Sequence, residues 1–210
     1  MEESLIPRKK REYLRHRAEI LQAAMSLFSE KGFHNVSMRE IAEKSEFAIG
    51  TLYKFFSNKE DLYKSLIMEK AEEFHSALIK AIKKKRTEIE KIRGFVETFI
   101  GLFMDNSDYV RLHLAVKWGT NFNLRINLDA ELRSLYEEVI QNLAKVFQRG
   151  MGKKVFRKFD PYLLAIALDS ITCAFLFQTL EKPDEHRFDA TLVMDLFFNS
   201  VYEKGRGGNE

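Results

Sequence analysis

The feature that most constrains the fold is a helical spacing of apolar residues in a chain with few helix breakers. Only 10 glycines and 3 prolines occur among 210 residues, so long helices can run without interruption. The sequence shows no sustained alternation of apolar and polar residues and no Asn-Gly or Asp-Gly hairpin signal. We therefore predict an all-α protein.

The charge of the chain is informative in its distribution rather than in its total. The net charge of +3 is the difference between 34 basic and 31 acidic residues, and it does not by itself indicate a nucleic-acid partner. Six cations crowd the N-terminus against one carboxylate, Glu12: Arg8, Lys9, Lys10, Arg11, Arg15 and Arg17. We expect either a disordered arm that contacts phosphates or a solvated tail without a function.

Signals for secretion or membrane insertion are weak. The N-terminus is charged where a signal peptide needs an apolar stretch. The most apolar segment, residues 162–177, is short for a membrane span and contains Asp169. The single cysteine, Cys173, cannot form an internal disulfide. These features predict a soluble cytoplasmic protein without a membrane partner.

Helix start and stop signals organise the first third of the chain. A first helix is predicted from about Arg11 to Lys31, where Gly32 provides a left-handed stop. A second begins at Ser37, whose hydroxyl can cap the first turn while Glu40 reaches back in a capping box. It is expected to end near Ser45.

Two further helices follow at once. The third is predicted from about Ala48 to Phe55, with Leu52 and Phe56 as apolar anchors. Residues 57–60, Ser-Asn-Lys-Glu, repeat the capping-box pattern and open a longer fourth helix. Two short helices joined by a tight turn are typical of a DNA-binding helix-turn-helix.

The segment from Ile20 to Leu66 resembles the N-terminal DNA-binding region of TetR-type transcriptional regulators. The similarity rests on Ile-Ala-Glu-Lys at 41–44, Gly-Thr-Leu-Tyr-Lys-Phe-Phe at 50–56 and Asn-Lys-Glu-Asp-Leu-Tyr at 58–63. It implies that the third helix enters the major groove of double-stranded DNA and that two subunits bind a palindromic operator. By position, it implies DNA contacts from Ser37, Arg39, Ala48, Ile49, Thr51, Leu52, Tyr53, Lys54 and Lys59.

The turn departs from the usual chemistry of this family. Glu46 stands where a glycine is usual, although glycine enters left-handed conformations most easily. Ala48 lacks the hydroxyl that would cap the third helix, at a cost of roughly 1 kcal/mol. We expect Phe47 to anchor the turn more deeply than a smaller aliphatic residue. Ile49 can contact a thymine methyl but cannot bind guanine as arginine does.

The remaining chain is predicted to form a helical body, so that residues 1–58 are the DNA-binding domain and residues 59–210 the effector-binding and dimerisation domain. Asp160-Pro161 is a clear helix start, with a capping aspartate before a proline at the first helical position. Helices are expected at about Glu88–Met104, Asp108–Gly119, Asp129–Gly150, Asp160–Leu180 and Glu185–Lys204.

Aromatic residues are concentrated in this body. Such a stripe is more often core than pocket, but the resemblance implies a ligand cavity here, and a wall of aromatic rings would suit an apolar or aromatic effector. The candidate pocket residues are Phe95, Phe99, Phe103, Tyr109, His113, Trp118, Phe122 and Tyr136.

The last two helices carry broad apolar surfaces. Residues 162–177 are apolar nearly all round, which is typical of a helix buried on several sides. Paired with their copies, the two helices would form a four-helix homodimer interface, as the resemblance also implies. The candidate interface residues are Leu163, Ile166, Ser170, Phe177, Phe188, Leu192, Leu196 and Phe197.

A run of cations at residues 83–86, Lys-Lys-Lys-Arg, follows the fourth helix. We interpret it as a solvated helix end or connector, with a second DNA contact as the alternative, because runs of like charge usually mark exposed surface.

These features together favour a ligand-responsive, homodimeric DNA-binding regulator, most simply a repressor, without a cofactor. An enzyme is disfavoured because no nucleophile triad, phosphate-binding loop or metal-ligand spacing stands out. A helical adaptor with an inert helix-turn-helix remains the alternative, supported by Ser45, Glu46 and Ala48 in the turn.

Overall fold

The computed structural model describes residues 7–84, 87–110, 112, 122–182 and 189–201, and within these ranges it contains helices and no strand. The prediction of an all-α fold, with a helix-turn-helix head on a larger helical body, is confirmed. The helices are α1 (Arg8–Lys31), α2 (Met38–Lys44), α3 (Ile49–Phe55), α4 (Lys59–Lys83), α5 (Glu88–Asp105), α6 (Phe122–Gly152), α7 (Pro161–Glu181) and α8 (Ala190–Val201).

The chain separates into two compact units. The head unit comprises Met1–Lys70 with Asp108–Asp129, and the body unit comprises Ala71–Ser107 with Ala130–Glu210. Helix α4 is continuous from Lys59 to Lys83 and contributes residues to both units. The predicted functional division at residue 58 stays a prediction.

Apolar faces of α1 to α4 form the core of the head unit. Ile20, Ile41 and Leu62 are fully buried, and the Tyr63 ring packs against Phe28 with centroids 5.4 Å apart. Burial raises the pKa of Tyr63, because its phenolate form would lose hydration. The first three helices are therefore fixed to the first half of α4.

The N-terminal cations are helical where the structure describes them. Helix α1 begins at Arg8, and the backbone amides of Lys10 and Arg11 bond to the carbonyl of Pro7. The expectation that these cations form a disordered arm, with a helix only from Arg11, is therefore wrong for residues 8–11. Gly32 ends α1 with φ 77°, as its left-handed stop predicts.

Local capping fixes the start of most helices. Thr87 and Asp160 cap α5 and α7, and the Asp160 carboxylate accepts bonds from two amides of the first turn. The cap of α4 differs from the prediction, because Asn58 accepts from the Asp61 amide and Asp61 accepts from Ser57. Helix α6 begins at Phe122, so Asp129 lies inside the helix rather than at its start.

The body unit has one large apolar core, formed by α5 to α8 and the second half of α4. Phe147 lies at its centre, with ring centroids 5.6 Å from Phe156 and 5.7 Å from Phe197. The chain turns between α6 and α7 at Lys154, whose φ is 58°. A Cβ at Gly150 would lie 2.2 Å from the Phe156 ring, so glycine is required for this packing.

Helix α7 is buried on one face only. Leu164, Leu168, Thr172 and Leu176 repeat every four residues along that face. The helix extends beyond the apolar segment 162–177 to 21 residues, and by length and composition alone it is long and apolar enough to cross a membrane. Core helices of soluble proteins pass the same test of length and composition.

Candidate functional site

The start of α2 is held by a network around Glu40. The Ser37 hydroxyl accepts a bond from the Glu40 amide at 3.2 Å, and the Ser37 amide donates to the Glu40 carboxylate at 2.8 Å. Lys31 approaches the same carboxylate at 2.9 Å. Lys31 and then the Ser37 amide and hydroxyl lower the pKa of Glu40 to about 2. The predicted capping box is confirmed, and it keeps Ser37 exposed at the helix start.

The turn between α2 and α3 is tight, and a non-glycine residue takes the left-handed position. Glu46 has φ 59°, and its amide bonds to the carbonyl of Glu43. Phe47 is half-buried, with its ring centroid 5.0 Å from that of His16 on α1. Ala48 provides no side-chain cap for α3, as predicted. The turn is thus held by backbone bonds, by the Ser45 hydroxyl, which donates to the carbonyl of Ile41 at 2.7 Å, and by the aromatic contact of Phe47.

One face of α3 is exposed and the other is buried. Ile49 and Tyr53, one helical turn apart, are 44% and 53% exposed, and Ala48 and Lys54 are exposed beside them. Thr51 is half-buried. We call Ala48, Ile49, Thr51, Tyr53 and Lys54 the recognition surface.

Leu52 points away from the recognition surface. It is fully buried against the head core, so the expectation that it contacts DNA is wrong. Its neighbour Tyr53 is exposed because successive helical positions differ by about 100° in direction. Leu52 anchors α3, and Tyr53 remains available to a ligand.

Lys59 has internal partners that the sequence did not predict. Its ammonium group donates to the backbone carbonyls of Phe33 and Val36 at 2.8 Å each. It also lies 4.4 Å from the centre of the Phe33 ring. These partners tie Lys59 to the α1–α2 connection, and its contact with a phosphate stays a prediction.

Several other cations of the head are paired. Arg39 is exposed and bonds to Glu43 at 3.0 Å, an arrangement that surface water can replace at little cost. Lys44 bonds to Ser26 at 2.7 Å and lies 3.5 Å from Glu30. Arg17 pairs with Glu69. Lys54 is therefore an especially accessible positive charge on the recognition surface.

Two neighbours of the recognition surface were missed from the sequence. Gly50 is exposed between Ile49 and Thr51, and a Cβ there would meet nothing within 4 Å. A glycine inside a seven-residue helix was the available signal, because it weakens the helix but allows another backbone to approach closely. Tyr13 of α1 is also exposed, with its ring centroid 4.7 Å from that of Phe55 at the end of α3.

Three predicted pocket residues form an aromatic ladder on α5. The Phe95 and Phe99 centroids are 5.9 Å apart, Phe99 and Phe103 are 6.5 Å apart, and Phe177 of α7 continues the series at 6.3 Å. Phe95 and Phe103 are buried, whereas Phe99 and Phe177 are half-buried. Phe95 lies in the apolar core of the body unit and Phe99 packs against that core, and Phe99 and Phe177 are the accessible members of the ladder.

The other predicted pocket residues do not join this ladder. Tyr136 is 45% exposed and donates a bond to Asp169 at 3.1 Å, and its place in an effector pocket stays a prediction. Tyr109 is buried and belongs to the head unit. Desolvation raises the pKa of both tyrosines. Three of the predicted positions lie outside the described residues or side chains: His113, Trp118 and Phe122.

An open groove of about 620 Å³ lies on the body unit. We call it the basic groove, because Lys80, Lys83 and Lys84 line one side of it. Glu138 of α6 lines it as well and bonds to the His75 ring at 3.0 Å. Ser76 and Ile79 complete the lining. In the described ranges, no group of three or more His, Cys, Asp or Glu side chains could hold a metal.

The predicted dimer residues form an apolar surface on α7 and α8, with one exception. Leu163, Leu192 and Leu196 are 62%, 43% and 52% exposed. Ile166 and Phe177 are half-buried, Ser170 is exposed, and Phe188 lies outside the described residues. Phe197 is buried against Phe147, so its assignment to the interface is wrong. We call Leu163, Ile166, Ser170, Leu192 and Leu196 the apolar face.

Comparison with known proteins finds a likeness to one family of regulators. Residues 20–66 match the family model described as bacterial regulatory proteins, tetR family. A fatty acid metabolism regulator protein of Bacillus subtilis is 30% identical over 128 residues, which are 61% of this chain and 62% of that protein. The chain therefore spans less than two thirds of this relative. The likeness to the tetR family therefore rests on residues 20–66 and on a relative that the chain spans only in part.

Solved structures resemble most of the chain rather than the head alone. A Clostridium perfringens protein described as a fatty acid metabolism regulator is 26% identical, with a TM-score of 0.69, over 86% of this chain and 95% of that one. FadR from Bacillus subtilis, solved with stearoyl-CoA, is 21% identical, with a TM-score of 0.71, over 86% and 96%. The second likeness concerns the fold alone.

Proposed function

We propose that the protein is a homodimeric transcriptional regulator, most simply a repressor, that binds a palindromic operator and responds to a mainly apolar small molecule. The observation that carries this proposal is the division of α3 into a buried face at Leu52 and an exposed face at Ile49 and Tyr53. A helix anchored in this way can enter a major groove without unfolding the head. The cytoplasm is the corresponding compartment.

The recognition surface combines apolar and polar groups. Ile49 can contact a thymine methyl, and the Tyr53 hydroxyl can bond to a base edge or a phosphate. Lys54 releases counterions when it meets a phosphate. Ser37 and Arg39 lie at the start of α2, where they can bind the flanking backbone. Specificity then depends on shape and apolar contact more than on guanine recognition.

The apolar face is proposed to bind a second copy of the chain. Leu163, Leu192 and Leu196 would lose their exposed apolar area on pairing, which favours association by about 25 cal/mol per Å². Two recognition helices in a dimer must lie about 34–36 Å apart to reach successive major grooves. An effector that prefers one spacing over another changes the affinity for DNA by the same factor as DNA changes the affinity for the effector.

The effector is proposed to be a fatty acyl compound. Two similar proteins are described as fatty acid metabolism regulators, and the Bacillus subtilis FadR structure contains stearoyl-CoA. In this protein, the half-buried rings of Phe99 and Phe177 in the aromatic ladder can contact the apolar acyl group of such a compound.

An electrophoretic mobility shift experiment on the DNA upstream of the protein's own gene tests the proposal. We expect salt-sensitive binding that stearoyl-CoA releases or strengthens. Complete absence of binding, with and without this compound, would contradict the assignment and favour a helical adaptor instead.

A further inference from the structure

The basic groove carries positive charges that have no role in the proposed DNA binding. Lys80 and Lys83 lie three residues apart at the end of α4, and Lys84 directly follows the helix, four residues after Lys80. Like charges at these spacings destabilise a helix, because the side chains are neighbours on its surface. In the part of the chain that the structure describes, no carboxylate lies within 4.0 Å of these three ammonium groups. An anion bound between them would offset the repulsion.

The one carboxylate in the groove does not neutralise the lysines. Glu138 directs an oxygen to the ring nitrogen of His75 at 3.0 Å, across the space between α4 and α6. The lysines are exposed, and His75 is partly covered. The groove therefore presents three ammonium groups on one side and a carboxylate already held by a partner on the other.

The groove also adjoins the apolar core of the body. Ile79 lines the groove, is 8% exposed and belongs to the same buried cluster as Phe95. Phe99 packs against that cluster. A ligand with a charged head and an apolar part can thus place its head among the lysines while its apolar part contacts Ile79. The volume of about 620 Å³ lies within the usual range for small-molecule sites.

We propose that the basic groove binds the phosphate-bearing head of the effector, and that the effector is an acyl thioester of a phosphorylated carrier rather than a free fatty acid. This inference rests on the proposed acyl-responsive function. Ammonium groups bind phosphate oxygens through charge-assisted hydrogen bonds, which are about twice as strong as neutral ones. Three lysines suit a head with two or more phosphate groups, whereas a single carboxylate would leave part of their charge unmatched.

Isothermal titration calorimetry of the full chain tests the inference with three probes: stearoyl-CoA below its micellar concentration, coenzyme A and stearate. We expect coenzyme A to bind without its acyl chain, and stearoyl-CoA to bind more tightly than stearate. The double variant Lys80→Gln/Lys83→Gln should lower the affinity for both coenzyme A compounds roughly tenfold and leave stearate unaffected. The loss should be smaller at high salt.

Lys158→Gln is the matched control, because Lys158 is exposed on the body unit but does not line the groove. It should bind all three probes as the wild type does. Wild-type affinity of the double variant for stearoyl-CoA would overturn the inference, and so would an equal loss of stearate binding. Operator binding by the wild type is measured in parallel. Its absence would contradict the proposed function, whereas the affinity for coenzyme A decides the inference.

Discussion

The ammonium group of Lys59, at the start of α4, donates a 2.8 Å hydrogen bond to the backbone carbonyl of Val36, immediately before the α2 cap. A second bond reaches the carbonyl of Phe33. Backbone carbonyls in a connecting segment need a partner when they are withdrawn from water. Lys59 supplies it, and so it ties the α1–α2 connection to the helix that follows the recognition helix.

Replacing Lys59 by methionine keeps the aliphatic stem but leaves both carbonyls without their donor. We expect the free energy of unfolding to fall by about 1–3 kcal/mol, measured by urea denaturation followed by circular dichroism. Lys54→Met, which changes an exposed lysine, should alter stability by no more than about 0.5 kcal/mol. An unchanged stability of Lys59→Met, with weaker and less salt-dependent DNA binding, would instead assign Lys59 to a phosphate.

Glu46 has a left-handed backbone that glycine adopts without a Cβ clash. Glu46→Gly is therefore expected to raise the free energy of unfolding by up to about 1 kcal/mol. Glu72→Gly in the interior of α4 is the control and should lower it by about 1 kcal/mol. Denaturation midpoints of the two variants check the sign. A destabilised Glu46→Gly variant would show that the Glu46 side chain has an essential role.

Gly150 and Gly152 lie two residues apart at the end of α6 but differ in their surroundings. Gly150→Ala would drive a methyl group into the Phe156 ring, and overpacking of this kind costs about 1–3 kcal/mol. Gly152→Ala should be tolerated, because nothing lies within 4 Å of its added Cβ. Differential scanning calorimetry should show a lower melting temperature for the first variant only. Equal melting temperatures would contradict the packing of Phe156 against α6.

The head should become less stable in acid, because the Glu40 carboxylate is protonated there. Its pKa is lowered from 4.5 to about 2, mainly by Lys31 and Ser37, so the ionised form stabilises the folded state. That contribution is complete above about pH 4.5 and is lost as the pH falls toward 2. The stability difference between wild type and Glu40→Gln should therefore shrink from pH 7 to pH 3. A difference that stays constant over this range would contradict the capping network.

Local signals in the sequence predicted the parts of the site that neighbouring residues determine. The Ser37 cap, the left-handed Gly32 and the Asp160-Pro161 start depend on hydrogen bonds and dihedral angles within a few residues. Ala48 lacks a cap in the structure for the same local reason. The boundary of α4 was less well predicted, because Asn58 competes with the adjacent Ser57 as the cap.

Residues whose roles depend on distant partners were not predicted. The sequence around Lys59 is the same whether its ammonium group binds a phosphate or the carbonyl of Val36, 23 residues earlier. Leu52 was predicted both as an anchor of α3 and as a DNA contact, and only the packing of α3 against the head decides between these two roles. Phe197 belongs to an apolar stripe so broad that its core side and its outer side look alike in sequence.

Fluorescence anisotropy with the native upstream duplex, at several salt concentrations, tests the central claim most directly. The wild type should bind, and the logarithm of its binding constant should fall linearly with the logarithm of the salt concentration. Tyr53→Ala/Lys54→Ala should lose specific binding, with dimerisation in analytical ultracentrifugation and the melting temperature unchanged. Leu52→Ala should show a different defect, a stability loss of about 2–5 kcal/mol. Wild-type affinity and salt dependence in the Tyr53→Ala/Lys54→Ala variant would contradict DNA binding through α3.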